Sequence, residues 1–251
     1  MLQLLKTRLL QGLRTVDFPG PQTLPARFRG RPELHPELCK DGCRACADAC
    51  PTQAIAVDPL QVDLGRCLFC AECAQACPEK AIDFTAGHFE QSFRKREDLV
   101  LDGAEAKLAG ALEKRMLSLF GRSLKLRHVA AGDCSGCAAE LTALSNVVFD
   151  LGRFGVQFVA SPRHADGLVI SGPVTANMRE ALRLAWEATP APKLVIAVGA
   201  CAISGGPFRD SPAQSNGVPP GIPVDLYVAG CPPHPLTLLD GLLRLLGRIE
   251  R

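Results

Sequence analysis

The sequence CKDGCRACADACP at residues 39–51 and the sequence CLFCAECAQACP at residues 67–78 decide the fold of the first part of this chain. Each run holds four cysteines and ends in Cys-Pro, where the proline stops helix propagation. Each run then continues through similar residues, PTQAIAV from Pro51 and PEKAIDF from Pro78. The repeat predicts two half-domains that pack around a pseudo-twofold axis.

The spacing of these cysteines predicts two [4Fe-4S] clusters with crossed ligation. The second run matches the bacterial ferredoxin pattern, in which the fourth cysteine of each run ligates the cluster of the other run. The first run has one residue more than this pattern before Cys43, and Gly42 can absorb it as a bulge. The predicted ligands are Cys39, Cys43, Cys46 and Cys77 for one cluster and Cys67, Cys70, Cys73 and Cys50 for the other.

Disulfides and structural zinc are the alternatives for these eight cysteines. The sequence has no secretory signal pattern and no apolar run long enough to cross a bilayer, so we expect a reducing, cytosolic environment that disfavours disulfides. Zinc ribbons usually bring two Cys-x2-Cys pairs that lie well apart, rather than a duplicated run of four. Both alternatives are weaker than the cluster interpretation.

Composition and missing motifs exclude several kinds of ligand. The net charge of +2 and the single Trp and Tyr are unsuited to nucleic acid, so we expect no nucleic-acid partner. Phosphate-binding loops, G-x-G-x-x-G and C-x-x-C-H are absent from the sequence, which therefore predicts no nucleotide or flavin site in this chain and no c-type haem.

The first 36 residues form a basic start and a proline-rich connector. Leucines at three- or four-residue steps predict an amphipathic helix over residues 1–16, with Lys6, Arg8 and Arg14 on the other side. Such a helix suits a membrane surface or a membrane subunit, but it is equally suited to docking on its own domain. Five prolines between residues 19 and 36 predict an extended connector.

The second half of the chain predicts an α/β domain with a mainly parallel sheet. Short β-branched runs predict strands at residues 124–129, 156–160, 168–171, 194–198 and 224–228, and helices are predicted at 138–148, 175–188 and 235–247. The Ala- and Leu-rich sequence LDGAEAKLAGALEKRMLSLFG at residues 101–121 predicts a helical linker. We thus expect a ferredoxin domain at 37–95, a linker at 96–122 and the α/β domain at 123–251.

The last four cysteines follow predicted strands. Cys134 and Cys137 come after the first strand, Cys201 after the fourth and Cys231 after the fifth. Ligands of open parallel sheets gather outside the carboxyl ends of the strands, so these thiols are predicted to converge on a third cluster. Any one of them alone is also consistent with a buried free thiol.

The first hundred residues resemble a known family of iron-sulfur subunits. FRGRPELHPELC at residues 28–39 and LGRCLFCAECAQACP at residues 64–78 are similar to the two-cluster ferredoxin subunit of formate hydrogenlyase and related complex I-like enzymes. The resemblance implies an α+β two-[4Fe-4S] ferredoxin domain near a membrane arm, which relays electrons between a peripheral donor and a catalytic module.

Residues 121–248 resemble the small subunit of membrane-associated, complex I-related [NiFe] hydrogenases. The similar stretches are GRSLKLRHVAAGDCSGCAAEL at 121–141, PKLVIAVGACAISGG at 192–206 and DLYVAGCPPHPLTLLDGLL at 225–243. The resemblance implies a flavodoxin-like α/β domain with one proximal cluster beside the nickel-iron site of a separate large subunit. It also implies the ligands of that cluster, which are Cys134, Cys137, Cys201 and Cys231.

The function implied is electron transfer through three [4Fe-4S] clusters in an oxidoreductase complex whose catalytic metal lies in another chain. The implied partners are a [NiFe]-hydrogenase-like large subunit, membrane-arm subunits, and a donor such as a ferredoxin or a formate dehydrogenase module. The implied location is the cytoplasmic side of the inner membrane, as a peripheral protein.

Two other functions remain open from the sequence. The quinone-reducing complex I homologue has adjacent cysteines where this chain has Ser135 and Gly136 between Cys134 and Cys137, as hydrogenase-type subunits do. A nickel-free complex I-like ferredoxin, quinone or sulfane reductase is the first alternative. A stand-alone iron-sulfur carrier is the second.

Three further positions are candidates for tuning the third cluster. Glu140 matches an acidic position of the family and is the candidate for cluster positioning or proton transfer, although an acidic residue also suits the first turn of a helix. Arg163 and His164 are expected on the side of the sheet where the cluster lies, or in loop capping. His234 replaces an arginine common in relatives, so it would be titratable.

Overall fold

The chain folds into a small cysteine-rich unit followed by an α/β unit, which confirms the predicted fold class. The computed structural model describes residues 2–20 and 22–249. The first unit contains the helices α1 (Leu2–Gln11), α2 (Ala45–Asp48) and α3 (Glu72–Ala76), with the strands β1 (Pro32–Leu34), β2 (Ile55–Val57), β3 (Leu60–Asp63) and β4 (Ile82–Phe84).

The sequence repeat is visible in the small unit as a structural repeat. The third cysteine of each run lies in a short helix, Cys46 in α2 and Cys73 in α3, and both residues are buried. Each Cys-Pro is followed by a strand, β2 after the first and β4 after the second. β1 pairs antiparallel with β4, and β2 pairs antiparallel with β3.

The second unit is built on a six-stranded sheet. Its strands are β7 (Leu124–Ala130), β8 (Val156–Phe158), β9 (Gly167–Ser171), β10 (Leu194–Val198) and β11 (Leu226–Val228), joined by β5 (Ser92–Phe93). The order is β5-β11-β10-β9-β7-β8, and only the β5–β11 pair is antiparallel. The helices are α4 (Lys114–Phe120), α5 (Gly136–Ala143), α6 (Ala176–Ala188), α7 (Gly199–Ser204) and α8 (Pro235–Leu245).

Strand β10 shows why the sheet could be predicted from sequence. All five of its residues are buried, because it lies between two parallel neighbours and is covered on both faces. Its bounds coincide with the predicted run at 194–198. The other four predicted strands also form, with ends shifted by one or two residues.

The predicted helical linker is mostly not helical. Of residues 101–121, only Lys114–Phe120 forms a helix, while β6 (Val100–Leu101) pairs with β3 in the small sheet. Backbone hydrogen bonds to other elements replace helical ones, since Ala109 N donates to Ser92 O at 2.8 Å and Leu112 N donates to Leu245 O at 2.9 Å. Tertiary pairing overrides the local helix propensity of this segment.

The segment between the two units takes part in both sheets. Phe93 in β5 pairs with Tyr227 at the edge of the six-stranded sheet, and a few residues later Leu101 in β6 pairs with Val62 in the small sheet. Ser204 on α7 donates through its hydroxyl to Gly65 O at 2.7 Å in a buried contact between the units. The two units are therefore interlocked.

The amphipathic start forms a helix with no buried residue. α1 ends at Gln11, five residues before the predicted end, and Leu2 and Leu9 are 86% and 85% exposed. The following residues attach to the α/β unit, where Val16 N donates to Val148 O at 2.8 Å. In the part of the chain that the structure describes, no helix has the length and apolar character required to cross a membrane.

Candidate iron-sulfur sites

The fourth cysteine of each run accepts the same backbone hydrogen bond. Ala54 N donates to Cys50 Sγ at 3.2 Å, and Ala81 N donates to Cys77 Sγ at 3.2 Å. In both cases the amide lies four residues after the cysteine, in the repeated Cys-Pro-x-x-Ala sequence. An N–H group directed at sulfur favours the thiolate, which is the form that binds iron.

One cavity is lined by the four cysteines predicted for one cluster. It encloses about 360 Å³ of empty space, part of it open to solvent. Its other walls are mainly apolar. The four thiol residues in its lining are Cys50, Cys67, Cys70 and Cys73. An apolar pocket with four convergent thiols fits a [4Fe-4S] cluster, since the cluster takes one cysteine on each iron.

Burial and the repulsion between neighbouring thiolates both raise the pKa of thiols in this pocket. Burial raises the pKa of Cys67 to about 12 and that of Cys73 to about 11, and the charges of neighbouring cysteines raise both further. For Cys67 those neighbours include Cys50, which belongs to the other run. Bare thiolates are unfavourable here, so a bound cation is needed to hold them deprotonated.

The other four cysteines of the small unit act on one another through their charges, across the two runs. Desolvation raises the pKa of Cys39, and the charges of Cys43 and Cys77 raise it further. Burial raises the pKa of Cys46, on which Cys77 and Cys39 also act. The fourth cysteine of the second run, Cys77, thus acts on two cysteines of the first run.

The third site lies at the carboxyl edge of the six-stranded sheet. Cys134 follows β7, Cys137 lies in the first turn of α5, Cys201 lies in α7 after β10, and Cys231 follows β11. Burial raises the pKa of Cys137 to about 12 and that of Cys201 to about 11. For Cys137 the other contributors include the three remaining cysteines of the set.

Two glycines leave the space around the sulfurs of the third site. A Cβ on Gly199 would lie 2.6 Å from Cys137 Sγ, and a Cβ on Gly206 would lie 2.8 Å from Cys201 Sγ. Both glycines have positive φ, +83° and +54°, which L side chains rarely adopt. Neither glycine is among the site residues predicted from the sequence, although the glycines around Cys201 in VGACAISGG are a readable signal.

The four cysteines of the third site differ in exposure. Cys137 is buried and Cys201 is partly buried, whereas Cys134 and Cys231 are exposed. Cys231 keeps an exposed edge even though the surrounding chain desolvates it enough to raise its pKa. The site is therefore closed on the protein side and open on one outer side.

Some cysteines of one set act through their charge on a cysteine of the next set. The charge of Cys46 acts on Cys73, and the charge of Cys70 acts on Cys231. Arg29 of the connector donates to Cys70 O at 2.8 Å and so lies at the second of these junctions. The set with Cys67 therefore lies between the other two sets.

A site for a single metal ion differs from a cluster site. Among residues 2–20 and 22–249, no group of three or more His, Cys, Asp or Glu side chains is placed to hold one metal ion. A cluster instead spreads its thiolates over several irons. The ligand sets of the twelve cysteines and the role of Glu140 stay predictions.

Glu140 and His234 are both half-buried. Burial raises the pKa of Glu140, which lies on α5 one turn after Cys137. His234 caps α8, since its Nδ1 accepts from Leu236 N at 3.2 Å, and its ring lies 5.4 Å from that of Phe28. Burial lowers the pKa of His234, so the ring is neutral at pH 7 rather than a fixed positive charge.

The expected position of Arg163 and His164 on the cluster side is wrong. Both residues lie in a turn that leads into Asp166, whose carboxylate accepts from Lys125 N at 2.7 Å at the start of β7. Asp166 O accepts from Leu194 N at the start of β10. The crossover from β8 must return to the amino end of β9 in a parallel sheet, so this turn lies at the edge opposite the cysteines.

Two family models match separate parts of the chain. Residues 134–245 match the model described as NADH ubiquinone oxidoreductase, 20 kDa subunit. Residues 38–81 match the model of a 4Fe-4S dicluster domain. Together they cover the α/β unit from Cys134 onward and the two cysteine runs.

Curated relatives match about half of the chain. A probable membrane-bound hydrogenase subunit mbhJ of Pyrococcus furiosus is 44% identical over 143 residues, which is 56% of this chain and 86% of the relative. Formate hydrogenlyase subunit 7 of Escherichia coli is 40% identical over 141 residues, or 56% of this chain and 55% of the relative. An NADH-quinone oxidoreductase subunit of Heliobacterium modesticaldum is 49% identical over 115 residues, or 45% of this chain and 66% of the relative.

Proposed function

The chain belongs to the family of the 20 kDa subunit of NADH ubiquinone oxidoreductase, and we propose that it is the electron-transfer subunit of a membrane-associated [NiFe] hydrogenase complex. It would relay electrons through three [4Fe-4S] clusters to or from a nickel-iron large subunit. Its domains would be the ferredoxin unit at 37–95, the connecting segment at 96–122 and the α/β unit at 123–251, after the helix and connector at 1–36.

The observation that carries this proposal is the line of three cysteine sets across both units. The charge of Cys46 acts on Cys73 and the charge of Cys70 acts on Cys231, which supports a middle set that connects the outer two. Each bound cluster would supply a one-electron carrier. The protein's own residues would hold the thiolates, shield the middle site in mainly apolar surroundings and fix the order of transfer.

The open side of the third site favours an electron exit into a partner chain. Cys134 and Cys231 are exposed, whereas Cys46, Cys67 and Cys73 of the small unit are buried. A large subunit seated over the exposed pair would exclude water from the site. The first cysteine set, with Cys39 and Cys43, would then face the upstream donor, a ferredoxin or a formate dehydrogenase module.

Attachment to the membrane arm would use α1. Its leucines are exposed and its Lys6 and Arg8 add positive charge, which suits the anionic cytoplasmic side of a membrane or a membrane subunit. The proposed location is therefore peripheral, on the cytoplasmic side of the inner membrane.

A nickel-free reductase is the second candidate. The NADH-quinone oxidoreductase relative is 49% identical over its matched residues, more than either hydrogenase-type relative. Against this, Ser135 and Gly136 separate the first two cysteines of the third site, which resembles the hydrogenase branch. A stand-alone carrier is disfavoured by the exposed thiols of that site.

The test is hydrogen production by the native complex. We would purify the membrane complex through a tag on this chain and measure hydrogen evolution from a reduced viologen dye. We expect activity that is lost when the cells are starved of nickel and regained when nickel is restored. A complex with all its clusters but without hydrogen evolution would contradict the hydrogenase and favour the nickel-free reductase.

The cluster count has its own measurement. Three clusters predict about twelve iron and about twelve sulfide per chain. Cys201→Ser should lower both values to about eight, and Cys67→Ser should do the same through a different site. Because the two variants remove different clusters, their electron paramagnetic resonance (EPR) spectra should lose different signals. Equal spectra would contradict the ligand sets.

A further inference from the structure

The proline-rich connector before β1 contacts both units through two adjacent residues. The ring of Phe28 meets that of His234 edge-on, with 5.4 Å between the ring centroids. Arg29 Nη1 donates to Cys70 O at 2.8 Å. His234 belongs to the α/β unit and follows Cys231 by three residues, whereas Cys70 belongs to the second cysteine run. Neighbouring residues of the connector thus bind the loops that carry cysteines of two different sites.

Contacts on either side hold this stretch of the connector in place. Phe18 is buried against the ring of Phe154 in the α/β unit, with the ring centroids 6.5 Å apart. After Arg29, Gly30 N donates to Thr85 O at 2.7 Å, and the chain then enters β1, which pairs with β4 in the small unit. The short stretch between these contacts is therefore held by both units.

The ring that Phe28 contacts is itself fixed. His234 Nδ1 accepts from Leu236 N at 3.2 Å at the start of α8, and the ring of Phe149 meets it edge-on at 5.9 Å. Two prolines connect Cys231 to His234, and proline restricts the backbone. A displacement of His234 is therefore transmitted to Cys231.

The loop that Arg29 contacts has a strained backbone. Phe69 and Ala71, on either side of Cys70, have φ of +55° and +64°, a region that residues with a side chain rarely adopt. The corresponding position in the first run is Gly42, which adopts φ +74° without that cost. Strained conformations persist where the surrounding structure holds them. The hydrogen bond from Arg29 to Cys70 O is one such contact.

The two loops that the connector joins also act on each other electrostatically, since the charge of Cys70 acts on Cys231. On the basis of the proposed function, we propose that Phe28 and Arg29 form a clamp that sets the spacing between the middle and third sites, and with it the rate of electron transfer between them. In that step one electron leaves the middle site, which is oxidised, and enters the third site, which is reduced. The two clamp residues neither gain nor lose an electron, so they are positioning residues of the electron path.

Loss of the clamp should loosen the two loops without separating the units. β5 and β6 tie the two sheets together, and Ser204 Oγ donates to Gly65 O in a buried contact between the units. The rate of electron transfer falls steeply with the separation of the two centres. A small movement of either loop is therefore expected to change the rate more than it changes the stability.

The test measures both the spacing and the electron step in the whole complex. We would record the spin–spin interaction between the reduced middle and third clusters by EPR, and the rate at which the third cluster is reduced after rapid mixing with a reductant. Amide hydrogen exchange over residues 69–71 reports on the loop without any electron transfer. The variants are Arg29→Ala, Arg29→Lys and Phe28→Ala. Arg27→Ala is the matched control, since it removes the same charge from an exposed position two residues earlier.

We expect Arg29→Ala to weaken the spin–spin interaction, to slow the electron step several-fold and to speed amide exchange, with the iron content still about twelve per chain. Phe28→Ala should also weaken the interaction and slow the step, but its exchange at residues 69–71 should stay as in the wild type, because the hydrogen bond to Cys70 O remains. Arg29→Lys should lie close to the wild type, since an ammonium group can still donate to that oxygen. Arg27→Ala should match the wild type.

Two results would overturn the inference. One is a wild-type spin–spin interaction and rate in Arg29→Ala with all its clusters present. The other is equal slowing in Arg27→Ala, which would make the lost charge the cause instead of the clamp. If Arg29→Ala loses iron, Phe28→Ala decides in its place.

The same experiment separates the clamp from the proposed function. The expected changes in a complex that has three clusters but evolves no hydrogen would support the clamp and contradict the hydrogenase. About eight iron per chain in the wild type, with no signal from a third cluster, would contradict the three-cluster path and the clamp with it.

Discussion

Replacing Gly199 with alanine should remove the third cluster while leaving the other two. The new Cβ would lie 2.6 Å from Cys137 Sγ, whereas ordinary contact begins at 3.4 Å, so the sulfur must retreat by about 0.8 Å. Ligand sites tolerate displacements of only about 0.5 Å. The backbone at φ +83° adds a cost of about 1–3 kcal/mol for a residue other than glycine.

The assay combines iron content, the EPR spectrum and thermal unfolding of the purified complex. We expect the iron content of Gly199→Ala to fall from about twelve to about eight per chain. The melting temperature should fall by about 2–4 °C for each kcal/mol lost. Gly221→Ala is the matched control, since Gly221 lies in the same unit and a Cβ there meets no atom within 4 Å.

Full iron content and an unchanged spectrum in Gly199→Ala would refute the reasoning. They would mean that Cys137 does not need the position that it has beside Gly199, and that the third ligand set is incorrect. Loss of iron in Gly221→Ala to the same extent would equally remove the argument, because that change creates no contact with a cysteine.

Three other changes test other parts of the structure. Ser204→Ala removes the buried hydrogen bond to Gly65 O between the two units and should cost about 1 kcal/mol in urea unfolding. The control is Ser211→Ala, in a partly exposed loop. Equal stability of the two variants would contradict the prediction. Deleting residues 2–11 should leave the melting temperature unchanged, because α1 buries no residue. The same deletion should release the chain from the membrane fraction. Retention of the chain in that fraction would show that another surface makes the attachment. The pKa of His234 is lowered by burial, so the folded state loses stability as pH falls below about 6.5, where the histidine of the unfolded chain takes up a proton. In His234→Asn, which can still cap α8, the unfolding midpoint should change less between pH 7.5 and pH 5.5 than in the wild type. An equal change in the two proteins would contradict this prediction.

The cysteine runs and the buried strands could be predicted because each depends on short-range sequence. The Cys-Pro repeat sets its own loop geometry, and β10 has five consecutive apolar residues because both of its faces are covered. The local signal and the final structure agree in these places.

The remaining differences arise from contacts between distant residues. The 101–121 segment has helix-forming composition, but β6 pairs with β3 and fixes its first residues as strand. Arg163 and His164 follow a strand in sequence, and only the direction of the crossover places them at the far edge. Gly199 is needed because Cys137, on another helix, lies close to it. This contact cannot be predicted from the local sequence VGAC.

The strand exchange between the two units limits how this polypeptide can be divided. If residues 96–122 were a passive tether, a gene split there would yield two independent proteins. Here β5 belongs to the early part of the chain and completes the edge of the large sheet, while β6 belongs to the later part and completes the small sheet. Separate expression with a break between β5 and β6 would leave an unpaired edge on both products, and exposed edges invite aggregation.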